Sequence, residues 1–552
     1  MIDNRIYASR RQRLMGELGD GIAILPTAPE LVRNGDAHYA YRFDSSFYYL
    51  TGFAEPEAVL VLDATAGKSV LFCRDKDIER EIWNGYRFGP EGAKETFGFD
   101  EAYSISEFDE RLPDLLADRH TLHMGFGRDA AFDARVNVAL NALRARFRTG
   151  VTAPTVLRDV QAVVHNMRLF KDDSEIALMR EAGRISAEAH VAAMRAARPG
   201  CFEYQLEAEI LRTFCTNGAR TPSYESIVAG GGNACVLHYV SNQDVLKDGD
   251  LVLIDAGCEY QGYAGDITRT FPVNGRFSAA QRDVYDVVLA AELAAIAAVR
   301  PGARWNDPAD AALRVLVQGL IDLGLLSGSL DGNIESEAYK QFYMHRIGHW
   351  LGLDVHDCGD YKVDGQWREY RPGMVTTVEP GLYLRPADNV PEAFWNIGIR
   401  IEDDVLCTAE GHEILTAGVP KSVADIEALM AGRPVPGDPA GELAQAGVSL
   451  TVTVGLGPRV FALSGLERMK PTGFMDIPAM KHDRLASAWS GGDLLVMVAA
   501  DDDTTITYAA DRLTLRGELV NDRLVGTGER RAGRVTVAEP CAEHIGRHRQ
   551  VP

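Results

Sequence analysis

An apolar run that ends in a carboxylate places the tightest condition on this chain. Leu251-Val252-Leu253-Ile254 leads into Asp255, and eleven residues later Asp266 opens the segment Ile267-Thr268-Arg269-Thr270-Phe271. Gly257 and Gly262 lie between, so the stretch reads as two neighbouring strands joined by a turn. Asp side chains set into such strands are costly to bury without a counter-charge. For several converging carboxylates the common counter-charge is a divalent metal. The plain alternative is a pair of solvated Asp residues near a hairpin.

With 552 residues the chain exceeds one ordinary domain, and two to four are expected. Its hydrophobic content, 46%, allows full cores, and its net charge of -22 argues against a general nucleic-acid or anionic-membrane binder. The start, Met1-Ile2-Asp3-Asn4-Arg5, lacks an apolar stretch like that of a signal peptide. No run approaches the roughly 18 apolar residues that a membrane helix needs. Eight Cys stand at 73, 201, 215, 235, 258, 358, 407 and 541 without a CxxC pair. They read as free thiols, and the expected location is the reducing cytoplasm.

Residues 1–165 read as an α/β domain. Gly21 to Pro26, Ala58 to Leu62 and Ser69 to Phe72 are short apolar runs suited to strands buried on both faces. Helical spacing marks 106–117 and 129–147, and no phosphate loop or GxGxxG is present. Trp83-Asn84-Gly85-Tyr86-Arg87 is an aromatic and basic cluster, either a surface loop or a reach toward a neighbouring subunit. In residues 170–430, helices are expected over 173–198 and 279–300, the first opened by a capping box of Asp172 and Glu175. Each ends in Arg-Pro-Gly, and each is followed by a second amphipathic segment, 203–216 or 307–323. The offset of 102 residues suggests two similar halves, although Pro and Gly also end unrelated helices. Strands are expected in 223–275 and 373–410. Gly432-Arg433-Pro434-Val435-Pro436-Gly437-Asp438-Pro439 reads as a linker, and 440–552 as a small all-β module.

Three further stretches stand out. His345-Arg346-Ile347-Gly348-His349-Trp350-Leu351-Gly352-Leu353-Asp354-Val355-His356-Asp357 holds three His within twelve residues. Thr377-Val378-Glu379-Pro380-Gly381-Leu382-Tyr383 sets a carboxylate between a β-prone run and a Pro-Gly turn. Ile397-Gly398-Ile399-Arg400-Ile401-Glu402-Asp403 alternates, so Arg400 and Glu402 share one strand face. Each has a plain reading: core histidines, a turn cap, a solvated strand face. The charge sum favours convergence. Asp255, Asp266, Glu379 and Glu402 bring four negative charges, His349 adds a neutral nitrogen, and two divalent cations balance the set. Oxygen donors with one imidazole suit Mn²⁺ or Co²⁺, and Fe²⁺ and Zn²⁺ are compatible.

These motifs together resemble the metallopeptidases of the pita-bread fold, and among them the aminopeptidase P (Xaa-Pro aminopeptidase) family. The likeness covers residues 1–430. It implies a creatinase-like α/β N-terminal domain and an α+β pita-bread catalytic domain with a pseudo-twofold repeat; the segment after 435 is extra to that pattern. It implies two metal ions, with Mn²⁺ foremost: Asp266 and Glu402 bridge both, Asp255 holds one, and His349 and Glu379 hold the other. His238, in Cys235-Val236-Leu237-His238-Tyr239, resembles a substrate-side histidine, and His356 a group that hydrogen-bonds the peptide carbonyl or developing oxyanion. Tyr224, His345 and Arg400 resemble a pocket for the proline ring. Trp83 resembles a substrate-binding residue that a neighbouring subunit of a homo-oligomer, a dimer or tetramer, lends to the active site.

A peptide bond to proline is a tertiary amide, and its nitrogen carries no hydrogen. A dimetal site can polarise its carbonyl and lower the pKa of a bridging water. Glu379 is the expected general acid/base and, by the resemblance, peptides with proline second are the expected substrates. The nearest rival is a Xaa-Pro dipeptidase (prolidase), which spares a tripeptide that an aminopeptidase cuts. A non-catalytic binding protein on the same scaffold is expected to have lost metal ligands, and none is missing.

Overall fold

The computed structural model describes residues 2–433 and, beyond them, the backbone of nine strands between Val448 and Thr536. Two compact units result, Met1–Ala431 and Gly432–Pro552.

The first part of the larger unit is built on a six-stranded mixed sheet. Its order is Glu101–Ser104, Lys68–Cys73, Val59–Asp63, Ile22–Pro26, Thr121–Met124 and Val156–Arg158. The unbroken apolar runs are explained by burial on both faces. Ala23, Leu25, Leu60 and Leu62 enter one apolar cluster, while Ile22, Ile24, Val59 and Val61 enter another. Helices Phe108–Leu116 and Ala130–Ala145 cover the second cluster with Phe108, Leu112, Val136 and Leu140. Helices Asn4–Leu18, Ser45–Thr51 and Gln161–Leu169 supply the first with Leu14, Phe47, Leu50 and Val164. Phe43 to Phe53, which holds five aromatic residues, is thus partly helical over Ser45–Thr51, with Asp44 as the N-cap.

That first cluster continues past residue 170. It takes in Met179, Tyr263, Leu351, Leu353, Val375 and Leu406, so the sheet domain and the part that follows share apolar core. Helix Asp173–Ala196 opens with the expected Asp172–Glu175 capping box and pairs with Glu203–Thr216. Helix Ala279–Ala298, capped by Ser278 and Gln281, pairs with Asp307–Asp322. Two three-stranded sheets accompany these helices. One has the order Ile227–Gly230, Leu251–Asp255, Thr268–Pro272; the other has Val375–Val378, Asp403–Cys407, His412–Ile414. The strand Ile397–Arg400 pairs with Gly381–Leu384 and is buried along its whole length. Its alternating sequence thus does not mark a solvent face.

The nine C-terminal strands form a five-stranded and a four-stranded sheet, with antiparallel neighbours. The linker read at 432–439 lies outside the described residues from 434 onward.

Candidate metal centre

Two sheets each deliver two carboxylates from the ends of paired strands. Asp255 is the last residue of Leu251–Asp255 and lies opposite Thr268, so Asp266, two residues earlier, falls beside it. In the other sheet Val378 lies opposite Asp403, which brings Glu379 and Glu402 together just beyond the ladder. His349 joins through a backbone bond from Thr377 N to His349 O of 2.9 Å and one from Glu379 N to Ile347 O of 2.7 Å. Close approach demands glycine at two points. A Cβ on Gly257 would lie 1.8 Å from Gly265 O, and one on Gly348 would lie 2.1 Å from Thr377 O.

Ligating atoms of Asp266, His349 and Glu402 all lie within 4.8 Å of one another. His349 Nε2 is 3.3 Å from Asp266 Oδ2 and 3.9 Å from Glu379 Oε1. Tyr224 ties in Asp255, since its hydroxyl lies 2.6 Å from Asp255 Oδ1 and 2.5 Å from Asp266 Oδ1. Asp266 and Glu402 are almost wholly buried, so neither solvated alternative holds for them.

The charges leave a place for cations. Burial pushes Glu402 well above the ordinary carboxylate range, and Asp266 and Glu379 push it further. Glu379 is raised to about 7 by burial, against the pull of His349. Burial alone would lower His349; its bond to Asp266, together with the Asp266 and Glu379 charges, instead carries it up to about 9. Its Nδ1 lies 3.0 Å from Trp350 O, so Nδ1–H donates there. A neutral imidazole would then aim the Nε2 lone pair at a carboxylate. Positive charge is required between them, either a proton or a metal ion. The donor set fits divalent cations on that ground.

Orienting groups surround the five. Arg400 Nη2 donates to Asp255 Oδ2 at 2.6 Å and Arg400 Nε to Thr268 Oγ1 at 3.1 Å, and Thr268 Oγ1 donates to Glu402 Oε2 at 2.7 Å. Arg400 Nη1 also donates to the Tyr383 hydroxyl at 3.0 Å, which donates to His345 Nε2 at 2.8 Å. His345 is lowered to about 4 by burial and by Arg400, so this chain runs through a neutral ring. Tyr224 and Arg400, expected around a proline ring, thus spend their polar atoms on carboxylates, Tyr383 and Thr268. His238 and His356 are exposed at the rim, and His238 lies near enough to lower both His345 and His356. Trp83 is 85% exposed on the helix Ile78–Asn84, and no hydrogen bond or ion pair joins it to the other site residues. Tyr383 and Thr268 were not singled out in the sequence. Each stands inside a ligand motif, and that position is the signal that could have found them.

A sequence profile of metallopeptidase family M24 matches residues 177–409, and one of the aminopeptidase P N-terminal domain matches residues 7–123. A profile of the Dyp-type peroxidase N-terminal domain matches residues 404–518. The Xaa-Pro aminopeptidase of Escherichia coli is 49% identical over 433 residues, which cover 78% of this chain and 98% of that protein. The solved structure of Pseudomonas aeruginosa aminopeptidase PepP is 50% identical with a TM-score of 0.77, covering 78% of this chain and 98% of that one. Proline aminopeptidase P II from Yersinia pestis is 50% identical with a TM-score of 0.76, covering 78% of this chain and all of the other.

Proposed function

The chain belongs to the Xaa-Pro aminopeptidases of metallopeptidase family M24, and from that premise we propose that it removes the N-terminal residue of peptides with proline second. The observation that carries this reading is the meeting of Asp266, His349 and Glu402, with Asp255 and Glu379 beside them. In this reading Asp266, Glu402, Asp255, His349 and Glu379 would together hold two divalent metal ions. Mn²⁺ is the metal we assign. When bound, the ions supply Lewis-acid polarisation of the scissile carbonyl and activation of water.

The chain's own groups do the rest. Arg400 and Thr268 fix the orientation of Asp255 and Glu402. His238 and His356, free at the rim, are placed to donate to the carbonyl oxygen as it gains charge. His345, with the hydroxyl of Tyr383, walls the side where the proline ring fits. Glu379 accepts a proton from the attacking water and delivers it to the proline nitrogen, which has no hydrogen of its own. With divalent cations held beside it, Glu379 would lose its proton below the value of about 7 that burial sets.

We extend the reading to architecture and setting. Two helix pairs, and two sheets that each present a carboxylate pair, support a pseudo-twofold repeat. The C-terminal strands support a small all-β module. The seven cysteines among the described residues are free, which supports a cytoplasmic location. The exposed Ile78, Ile82, Trp83 and Tyr86 support a homo-oligomer in which this face meets another copy.

Purified protein, assayed for metal and then given Xaa-Pro and Xaa-Pro-Yaa peptides, tests the proposal. Hydrolysis of the tripeptide with release of free Xaa is expected. Cleavage of the dipeptide alone would point to a dipeptidase, and no metal-dependent cleavage would end the reading.

A further inference from the structure

The side chain of His356 has a ring contact and no polar anchor among the described residues. The ring stands edge-on to His349, with centroids 4.4 Å apart. Its direction therefore depends on whatever fixes the loop on either side. Asp354 and Asp357 do this, and both turn away from the metal centre toward the first part of the chain.

Arg168, near the end of helix Gln161–Leu169, reaches both. Its Nη2 lies 2.7 Å from Asp354 Oδ2 and 2.6 Å from Asp357 Oδ1. Lys171 Nζ closes on Asp357 Oδ2 at 3.0 Å. Ser45 Oγ donates to Asp354 Oδ1 at 2.6 Å, and Arg168 Nη1 donates to Ser46 Oγ at 3.0 Å. Arg42 adds a bond to Leu353 O. Arg168 and Lys171 thus meet two carboxylates, with Arg42 4.0 Å from Asp354, and the side chains of Arg168, Lys171 and Asp357 are no more than 4% exposed.

An ion cluster this deeply buried is a weak source of net stability, because desolvation offsets much of the attraction. What it does supply is direction: a guanidinium shared by two carboxylates admits one loop geometry. Resting on the role given to His356 above, we infer that Arg168 is a positioning residue for that histidine. Through it the N-terminal domain, by way of Ser45 and Ser46, takes part in orienting the group that meets the substrate carbonyl.

The test is a double-mutant cycle on full-length, metal-loaded protein with a Xaa-Pro-Yaa tripeptide. Asp354→Asn is the leading change, since this carboxylate is 44% exposed and its loss is tolerable for folding. Arg168→Met and Arg168→Lys accompany it, each made with and without His356→Ala. Metal content and thermal midpoint are measured for every variant. The expected result is a loss of about tenfold in kcat, with KM changing less, from Asp354→Asn when His356 is present, and less than about twofold when it is absent. Arg168→Met should lose more than Arg168→Lys, again only with His356 present. Equal losses in both backgrounds would show a merely structural role and overturn the inference, while leaving the peptidase reading intact. Full activity in His356→Ala alone would remove the role of that histidine, and the inference with it. Should Arg168→Met not fold, the Asp354→Asn cycle decides.

Discussion

Glu379 differs from the other carboxylates of the site in having histidines on two sides. His345 Nδ1 and His349 Nε2 each lie 3.9 Å from one of its oxygens. Such a group can hold a ligand position and still exchange a proton with water beside it. Glu379→Gln keeps the shape and removes the base, so turnover should fall roughly 10²- to 10⁴-fold. Metal analysis and a melting curve on the same sample separate this from loss of the centre; near-normal turnover with metal retained would refute the role. A second residue carries a pH dependence. His190 is wholly buried, its Nε2 lies 3.0 Å from Ala256 O, and its Nδ1 has no partner. Burial lowers it from 6.5 to about 4. In that interval the unfolded chain binds a proton that the folded chain does not. Stability therefore holds above pH 6.5 and declines as pH falls toward 4, by about 3 kcal/mol at the limit. Denaturant unfolding at stepped pH measures this, and His190→Gln, which can still donate to Ala256 O, should flatten that portion of the curve.

The turn between Leu251–Asp255 and Thr268–Pro272 sets the spacing of the first carboxylate pair. Its hinge leaves no room at Gly257, where a Cβ would meet the backbone carbonyl of Gly265. Gly257→Ala should destabilise the protein by roughly 1–3 kcal/mol and weaken metal binding as Asp255 and Asp266 part. A metal titration followed alongside thermal unfolding checks both; unchanged affinity would mean that the turn relaxes without moving the carboxylates. Elements of this kind were legible in the chain because their signals are local. An apolar run ending in Asp255, a Pro-Gly turn after Glu379, and a capping box at Asp172 and Glu175 each sit within a few residues. Helix Glu203–Thr216 was read to its ends for the same reason. The alternation from Ile397 to Ile401 also carried a true signal, since the face it gives to Arg400 and Glu402 meets Asp255 and Thr268 rather than water. Partners far apart in sequence left no mark. Nothing near Arg168 announces Asp354 and Asp357, more than 180 residues away, and nothing near Tyr224 announces two carboxylates.

At the scale of the whole molecule, the question is which part of the chain the catalytic centre needs. Every residue assigned to it lies between Trp83 and Glu402, inside the compact unit Met1–Ala431. The apolar cluster that begins on the N-terminal sheet takes in Leu351, Leu353 and Val375 around the His349 segment, so that sheet cannot be removed without exposing core. The last helix, Val423–Met430, buries Val423, Ile426 and Leu429, and the preceding Lys421 contacts Asp403 and Glu292 at 2.6 Å each. Lys421 thus fastens the residue that follows Glu402, and a chain cut before it would leave the buried Glu292 without its cation and Asp403 with Arg269 alone. A chain cut after Arg433 keeps all of these contacts. The match to the Escherichia coli enzyme covers 98% of that protein while using 78% of this chain, which fits a catalytic unit complete without the C-terminal segment. Residues 1–433 should therefore fold alone, bind metal, and cleave a Xaa-Pro-Yaa tripeptide with kcat/KM within about threefold of the full chain, a change of less than about 1 kcal/mol in transition-state stabilisation. A chain ending at residue 418 should be insoluble or inactive. If the 1–433 protein folds and holds metal yet turns over tenfold slower or worse, the C-terminal strands serve the active site directly, and the unit drawn at Ala431 is not the functional one.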